Sequence, residues 1–115
     1  MLPRENRLVG RFNFENVKRK GKLFNSGPLG LSVYTRSEKL PTRIGIIVSL
    51  KISKKAVERN RIKRMVRESL RKQIRKIKKG FDIVFLTKTS IIDKDRATVD
   101  SCIKNLLERA QLLIK

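Results

Sequence analysis

Apolar residues follow two different periods along this chain, and the switches between them outline a fold. In residues 29–35, Leu29, Leu31 and Val33 alternate with Gly30, Ser32 and Tyr34. That period of two predicts a strand with its leucines on one face and Tyr34 on the other. Residues 43–49 (Arg43-Ile44-Gly45-Ile46-Ile47-Val48-Ser49) and 81–87 (Phe81-Asp82-Ile83-Val84-Phe85-Leu86-Thr87) are nearly continuous apolar runs rich in β-branched side chains. Both predict buried strands. Between them, Ile62, Met65, Val66, Leu70, Ile74 and Ile77 recur at helical spacing, predicting a helix over 56–79 that ends at Gly80. A strand, a long helix and a second strand predict a parallel βαβ unit.

The flanking segments complete a single α+β domain over 1–115. Residues 1–12 read as extended, punctuated by Pro3 and Gly10. Asn13 is a candidate N-cap for a short helix over 14–20, closed by Gly21, with Phe14 and Val17 on one face. Residues 26–28 form a turn and 36–42 a polar loop. Asp93 and Asp95 offer N-caps for a last helix running to the C-terminus. Its stripe of Val99, Cys102, Ile103, Leu106, Leu107, Ala110, Leu113 and Ile114 predicts docking on the sheet. Phe81, Phe85 and Cys102 read as core. The expected architecture is a small mixed α/β sandwich of about four strands and three helices around the βαβ unit.

Charge changes this picture from a scaffold to a binding protein. The formal net charge is +20 and the sequence pI about 11.2. Residues 51–79 hold fourteen Lys and Arg against two acids, Glu58 and Glu68. On the helix predicted there, Asn60, Arg64, Arg67, Arg71 and Arg75 lie opposite the apolar stripe, forming an arginine ridge roughly 22 Å long. Arginine suits phosphate because its planar fork can bind two oxygens at once and stack on bases. About five to eight phosphate contacts would give binding a salt slope of roughly −4 to −7. An ordinary solvated helix face mixes signs for i, i+4 pairing; here only Glu68 interrupts the ridge. A basic amphipathic helix can also lie on a membrane, but this apolar stripe is needed to cover the flanking strands. Lys51, Lys54 and Lys55 lead into Arg59-Asn60-Arg61 at the helix N-terminus, where free N–H groups already favour anions.

Absences narrow the chemistry. The chain has no histidine and one cysteine, Cys102. That excludes zinc sites, Ser-His or Cys-His nucleophiles and an internal disulfide, and fits a reducing cytoplasm. Ten acids are a poor supply for a two-metal nuclease site, and capping accounts for Asp93 and Asp95. No catalytic residue and no metal site is expected in the chain itself. Residues 1–5 lack the apolar core of a signal peptide, and runs such as Ile46-Ile47-Val48 are too short to span a membrane. Cytoplasmic localisation without a membrane partner is expected.

Ile44-Gly45-Ile46 through Ser49, Arg59-Asn60-Arg61-Ile62-Lys63-Arg64 and Arg67-Glu68 together resemble the RNR signature of the bacterial ribonuclease P protein subunit. The resemblance extends to Leu2-Pro3-Arg4-Glu5-Asn6-Arg7-Leu8 and Phe81-Asp82-Ile83-Val84, and so covers most of the chain. It implies an α/β sandwich whose βαβ crossover is left-handed. It also implies a subunit of an endoribonuclease whose RNA performs the Mg²⁺-dependent hydrolysis that releases the 5′ leader of precursor tRNA. The protein's partners would be that catalytic RNA and the precursor tRNA, with no protein partner. Contacts to the RNA subunit would fall on Arg59, Asn60, Arg61, Lys63, Arg64, Arg67 and Arg71. The leader would lie in a cleft between the first helix and the sheet, lined by Phe14, Lys18, Tyr34, Lys51 and Lys88. Lys18 departs from the family pattern, which has a second aromatic one turn after Phe14. There a stacking contact becomes a phosphate contact.

Four of the five cleft residues also have a plain structural reading: Phe14 and Tyr34 as partly buried core aromatics, Lys51 and Lys88 as strand-end lysines. A structural, ribosomal-type rRNA-binding protein would share the charge but have no use for a leader cleft. DNA binding fits less well, since the ridge has few side chains that read base edges.

Overall fold

The computed structural model describes residues 2–36 and 39–114. A four-stranded sheet has the order β1-β2-β4-β3, with β1 Lys22–Ser26, β2 Leu29–Thr35, β3 Arg43–Ile47 and β4 Phe81–Thr87. β2 pairs antiparallel with β1 and β4, and β3 runs parallel to β4. Three helices accompany it: α1 Arg11–Lys20, α2 Ala56–Gln73 and α3 Arg96–Arg109. This is the predicted α+β sandwich. β1 is the strand the apolar pattern did not reveal. It is a largely exposed edge strand, recognisable only through the turn at Gly27-Pro28, which joins the paired residues Ser26 and Leu29.

The pleat divides the sheet into two working faces. Leu29, Leu31, Ile83, Phe85 and Ile44 point one way, into a core with Ile62, Val66 and Leu70 of α2 and Val99, Ile103, Leu106 and Leu107 of α3. Phe81 and Cys102 sit half-buried at the margin of that core. Gly30, Ser32, Tyr34, Asp82, Val84, Leu86, Arg43, Gly45 and Ile47 share the other face by register, and α1 covers part of it. The N-terminal segment is less extended than expected. Arg4–Asn6 forms a 3₁₀ turn, after which Arg7 pairs with Ile44, and the Leu8 N–H donates to the Ile44 carbonyl at 2.9 Å.

Helix limits depart from the sequence expectation where tertiary contacts intervene. α1 starts three residues early because Gly10, at φ 91°, turns the chain into the helix; Asn13 instead donates to the Val9 carbonyl at 2.8 Å. α2 stops at Gln73 rather than at 79. Residues Ile74–Lys76 tighten into a 3₁₀ turn so that Ile77 bridges Leu113 and the Lys78 N–H reaches the Leu112 carbonyl. α3 likewise ends before the C-terminus. Gln111 adopts φ 58°, reversing the chain and burying Leu112. Asp95, not Asp93, caps α3, accepting from the Thr98 N–H at 2.9 Å.

Hydrogen-bond directions fix the hand of the crossover. Viewed from the α1 side with β3 pointing up, an L-residue facing the viewer directs its carbonyl to the right. Ile47 faces α1, and its carbonyl accepts from Thr87 Oγ1 at 2.9 Å, so β4 lies to the right. Ile44 faces away, and its carbonyl points left to Leu8. With α2 behind the sheet, the path β3–α2–β4 is left-handed, against the usual preference.

Candidate nucleic-acid interface

α2 carries its charge on the side away from the core. Asn60, Arg61, Arg64 and Arg71 are exposed, while Lys63 and Arg67 are half-buried at the flank. Because the helix ends at Gln73, Arg75 leaves the ridge. From Asn60 to Arg71 the helical part is roughly 16 Å long. Glu68 does not interrupt it. Its carboxylate pairs with Arg96 of α3, and one turn on Lys72 pairs with Asp100 at 3.5 Å. The acid beside the ridge is thus used between helices. Arg59 differs from its neighbours: its Nη1 donates to the Ser53 carbonyl at 2.8 Å, tying down the loop that enters the helix. The Lys55 N–H donates to Ser53 Oγ at 3.1 Å, so Ser53 organises this entry from both sides.

On the opposite face, α1 crosses the sheet along one row of paired residues. Phe14 lies over Gly45, Val17 is buried against Val84, and the Val17 carbonyl accepts from Ser32 Oγ at 2.9 Å. Gly45, Val84 and Ser32 are neighbours in register, so α1 runs across the strands and leaves a groove on each side. With Phe14, Val17 and Gly21 beneath, the right-handed helix turns Lys18 toward the C-terminal ends of β3 and β4. That groove has Ile47 and Leu86 as a half-buried apolar floor. Lys88 directly follows β4 and Lys51 lies in the turn after β3; both are exposed. Parallel pairing brings these two lysines to one edge. Phe12 points outward from α1 and is 76 % exposed, so it does not stand in for an aromatic at Lys18.

Tyr34 lies on the other side of α1. It is half-buried against the cluster of Leu8, Val17 and Val84, in register with Asp82, which is in register with Arg43. Asp82 is buried and binds Arg43 through two hydrogen bonds, Nε–Oδ1 at 2.8 Å and Nη2–Oδ2 at 2.6 Å. Arg36 approaches the same carboxylate at 3.4 Å. The Asp82 hydrogen bonds hold the Arg43 pKa above its ordinary value. Of the five leader residues expected from sequence, Lys18, Lys51 and Lys88 lie toward the C-terminal ends of β3 and β4, Phe14 rests on Gly45 and faces the pocket at the β3 edge with Lys63 and Arg67, and Tyr34 lies on the other side of α1. Ile47 and Leu86 were missed, because strand residues of an apolar run read as core until α1 is seen to cover only the middle row. Among the described residues no three His, Cys, Asp or Glu side chains gather as metal ligands. Among the described residues no helix is long and apolar enough to cross a membrane.

A basic helix on one face of a small α+β sandwich, with a lysine-edged groove on the other, defines an RNA-binding class of protein. Comparison with known proteins narrows it. The family model for Ribonuclease P matches residues 2–111. The chain is 38 % identical over 113 residues to the ribonuclease P protein component of Pseudanabaena sp., covering 98 % of this chain and 97 % of that one. It is 40 % identical over 112 residues to the same component from Clostridium acetobutylicum, covering 96 % and 93 %. The solved RNase P protein from Thermotoga maritima superposes with a TM-score of 0.80 at 33 % identity, over 90 % of this chain and 96 % of that one. The chain belongs to the ribonuclease P protein family.

Proposed function

We propose that this protein binds the catalytic RNA of ribonuclease P through α2 and holds the 5′ leader of precursor tRNA in the groove between α1 and the ends of β3 and β4. It thereby promotes endonucleolytic 5′ maturation of tRNA. The observation that carries this reading is the cationic face of α2, beside which Glu68 is committed to Arg96. Arg61, Arg64, Arg67 and Arg71 contact phosphates; Asn60 and Lys63 flank them, and Arg59 acts by shaping the entry loop. In the groove, Phe14 offers its ring to a leader base, while Lys18, Lys51 and Lys88 hold the backbone.

Hydrolysis belongs to the RNA partner. Among the described residues the acids are scattered or engaged by basic side chains, a donor set that does not suit a resident metal. The Mg²⁺ required for cleavage is held by the RNA and substrate. The test is cleavage of a precursor tRNA at low millimolar Mg²⁺ by protein alone, RNA subunit alone and both together. Efficient cleavage at the 5′ junction by the mixture only is the expected result. No effect of the protein would point instead to a structural RNA partner, such as ribosomal RNA.

A further inference from the structure

A pocket of about 340 Å³ opens at the outer edge of β3, between the N-terminal segment and α2. Leu2, Arg7, Leu8 and Val9 line one side, Ile44, Gly45 and Ile46 the sheet edge with the Phe14 ring over it, and Lys63 and Arg67 the side formed by α2. No acid lines it. Lys63 and Arg67 are half-buried there, one helical turn apart, and neither has a hydrogen-bond or ion-pair partner among the described residues. Partial burial of two like charges side by side is unfavourable unless an anion joins them.

The sheet edge adds a polar feature. The Leu8 N–H takes the Ile44 carbonyl, and alternation points the N–H and carbonyl of Ile46 out of the same edge. By then the N-terminal segment has turned away at Gly10, so no backbone group of the described residues pairs with Ile46 on that side. Val9, although apolar, is 65 % exposed beside this edge. The pocket thus combines an apolar wall that includes the Phe14 ring, one adjacent donor and acceptor, and two unpaired cations beside Arg7, which is tied to the Leu2 carbonyl. A free phosphate would leave the apolar wall unused, and an apolar peptide would leave the cations unpaired. A nucleotide uses all three.

We propose that this pocket receives one unpaired nucleotide of the RNA bound along α2, its base against Leu8, Val9 and Ile46 and its phosphate between Lys63 and Arg67. The inference rests on the RNA-binding reading of α2 and adds an element to it: recognition of an extruded base rather than of backbone alone. Pairing must already be absent at that position, since unstacking a paired base would offset much of the gain.

The experiment measures affinity for ribonuclease P RNA carrying single abasic substitutions at its unpaired positions. For the wild-type protein, one abasic position is expected to weaken binding about tenfold, the scale of one stacked base. Val9→Trp fills the pocket without removing a cation. It should weaken binding to intact RNA by a similar factor and make that abasic position silent, while Arg64→Ala weakens binding yet keeps the sensitivity. If circular dichroism shows that the indole unfolds the chain, Val9→Met supplies the same test with a smaller filling. If no abasic position responds, or the sensitive one responds equally in the filled variant, the pocket proposal is wrong and the α2 reading stands on Arg64→Ala. If Arg64→Ala also binds like wild type, both readings fail.

Discussion

Phe14 rests on Gly45 so closely that a methyl group added to the glycine would sit 2.4 Å from the ring's Cε1. The absence of a side chain at this one position of β3 lets the aromatic ring pack directly onto the strand backbone. Gly45→Ala should therefore push the ring aside at an overpacking cost of about 1–3 kcal/mol. Precursor tRNA affinity should fall. Phe14→Ala should reproduce the precursor defect without the strain, losing about 1–3 kcal/mol of stacking. Equal losses for precursor and mature tRNA would remove Phe14 from the leader site.

Lys18 is exposed on the side of α1 that faces the C-terminal ends of β3 and β4. Replacing it by alanine should reduce the salt slope of leader binding by about 0.7, the increment for one phosphate contact on a single strand. Lys18→Phe should do the same while raising affinity at high salt. Titrations of precursor and mature tRNA across a salt series decide the matter, and an unchanged slope would place Lys18 outside the path.

Arg59 and Arg64 are neighbours on α2 with different work. Arg64 is exposed without a partner among the described residues, whereas Arg59 is bonded to the Ser53 carbonyl. Arg64→Ala should weaken RNA-subunit binding and reduce its salt slope by about 1, with Tm unchanged. Arg59→Ala should lower Tm and weaken binding through a loosened entry loop, with a smaller change in slope. Indistinguishable effects on Tm and slope would show that the Ser53 contact does not matter.

Asp95 gives α3 a pH dependence. Its hydrogen bond from Thr98 lowers its pKa from the ordinary carboxylate value. A group with a depressed folded pKa contributes stability above its unfolded pKa and loses it as pH falls through the folded value. Acid melts of the wild type should therefore show a loss below the ordinary carboxylate range that Asp95→Ala lacks. Asp95→Asn should keep part of the cap at neutral pH and remove its acid sensitivity. Identical acid profiles for wild type and Asp95→Ala would dismiss the cap as a pH-dependent contribution.

The strands at Leu29–Thr35 and Phe81–Thr87 were legible in full because their apolar pattern is what the two-sided sheet demands. The arginine face of α2 was legible for the same reason: its opposite stripe is the core. What escaped was set by partners distant in sequence. Ile77 leaves the helix for Leu113, and Glu68 turns to Arg96. Tyr34 had the right strand parity for the cleft face, yet parity cannot tell which side of α1 a residue will occupy. β1 has no periodic apolar signal, because an exposed edge strand needs none.

Parallel pairing of β3 and β4 gives the molecule a built-in ruler. The chain leaves β3 toward Lys51 and the start of α2, and leaves β4 at Lys88, both from the same edge of one rigid sheet. If the RNA subunit grips the helix as proposed, the mouth of the leader groove lies a fixed number of residues away. The interval between the two RNAs would then be set by strand geometry and by the short connection into α2. Lengthening the segment between Ile47 and Ala56, which carries Lys51 and Ser53, would shift that interval and disturb the position at which one RNA is presented to the other.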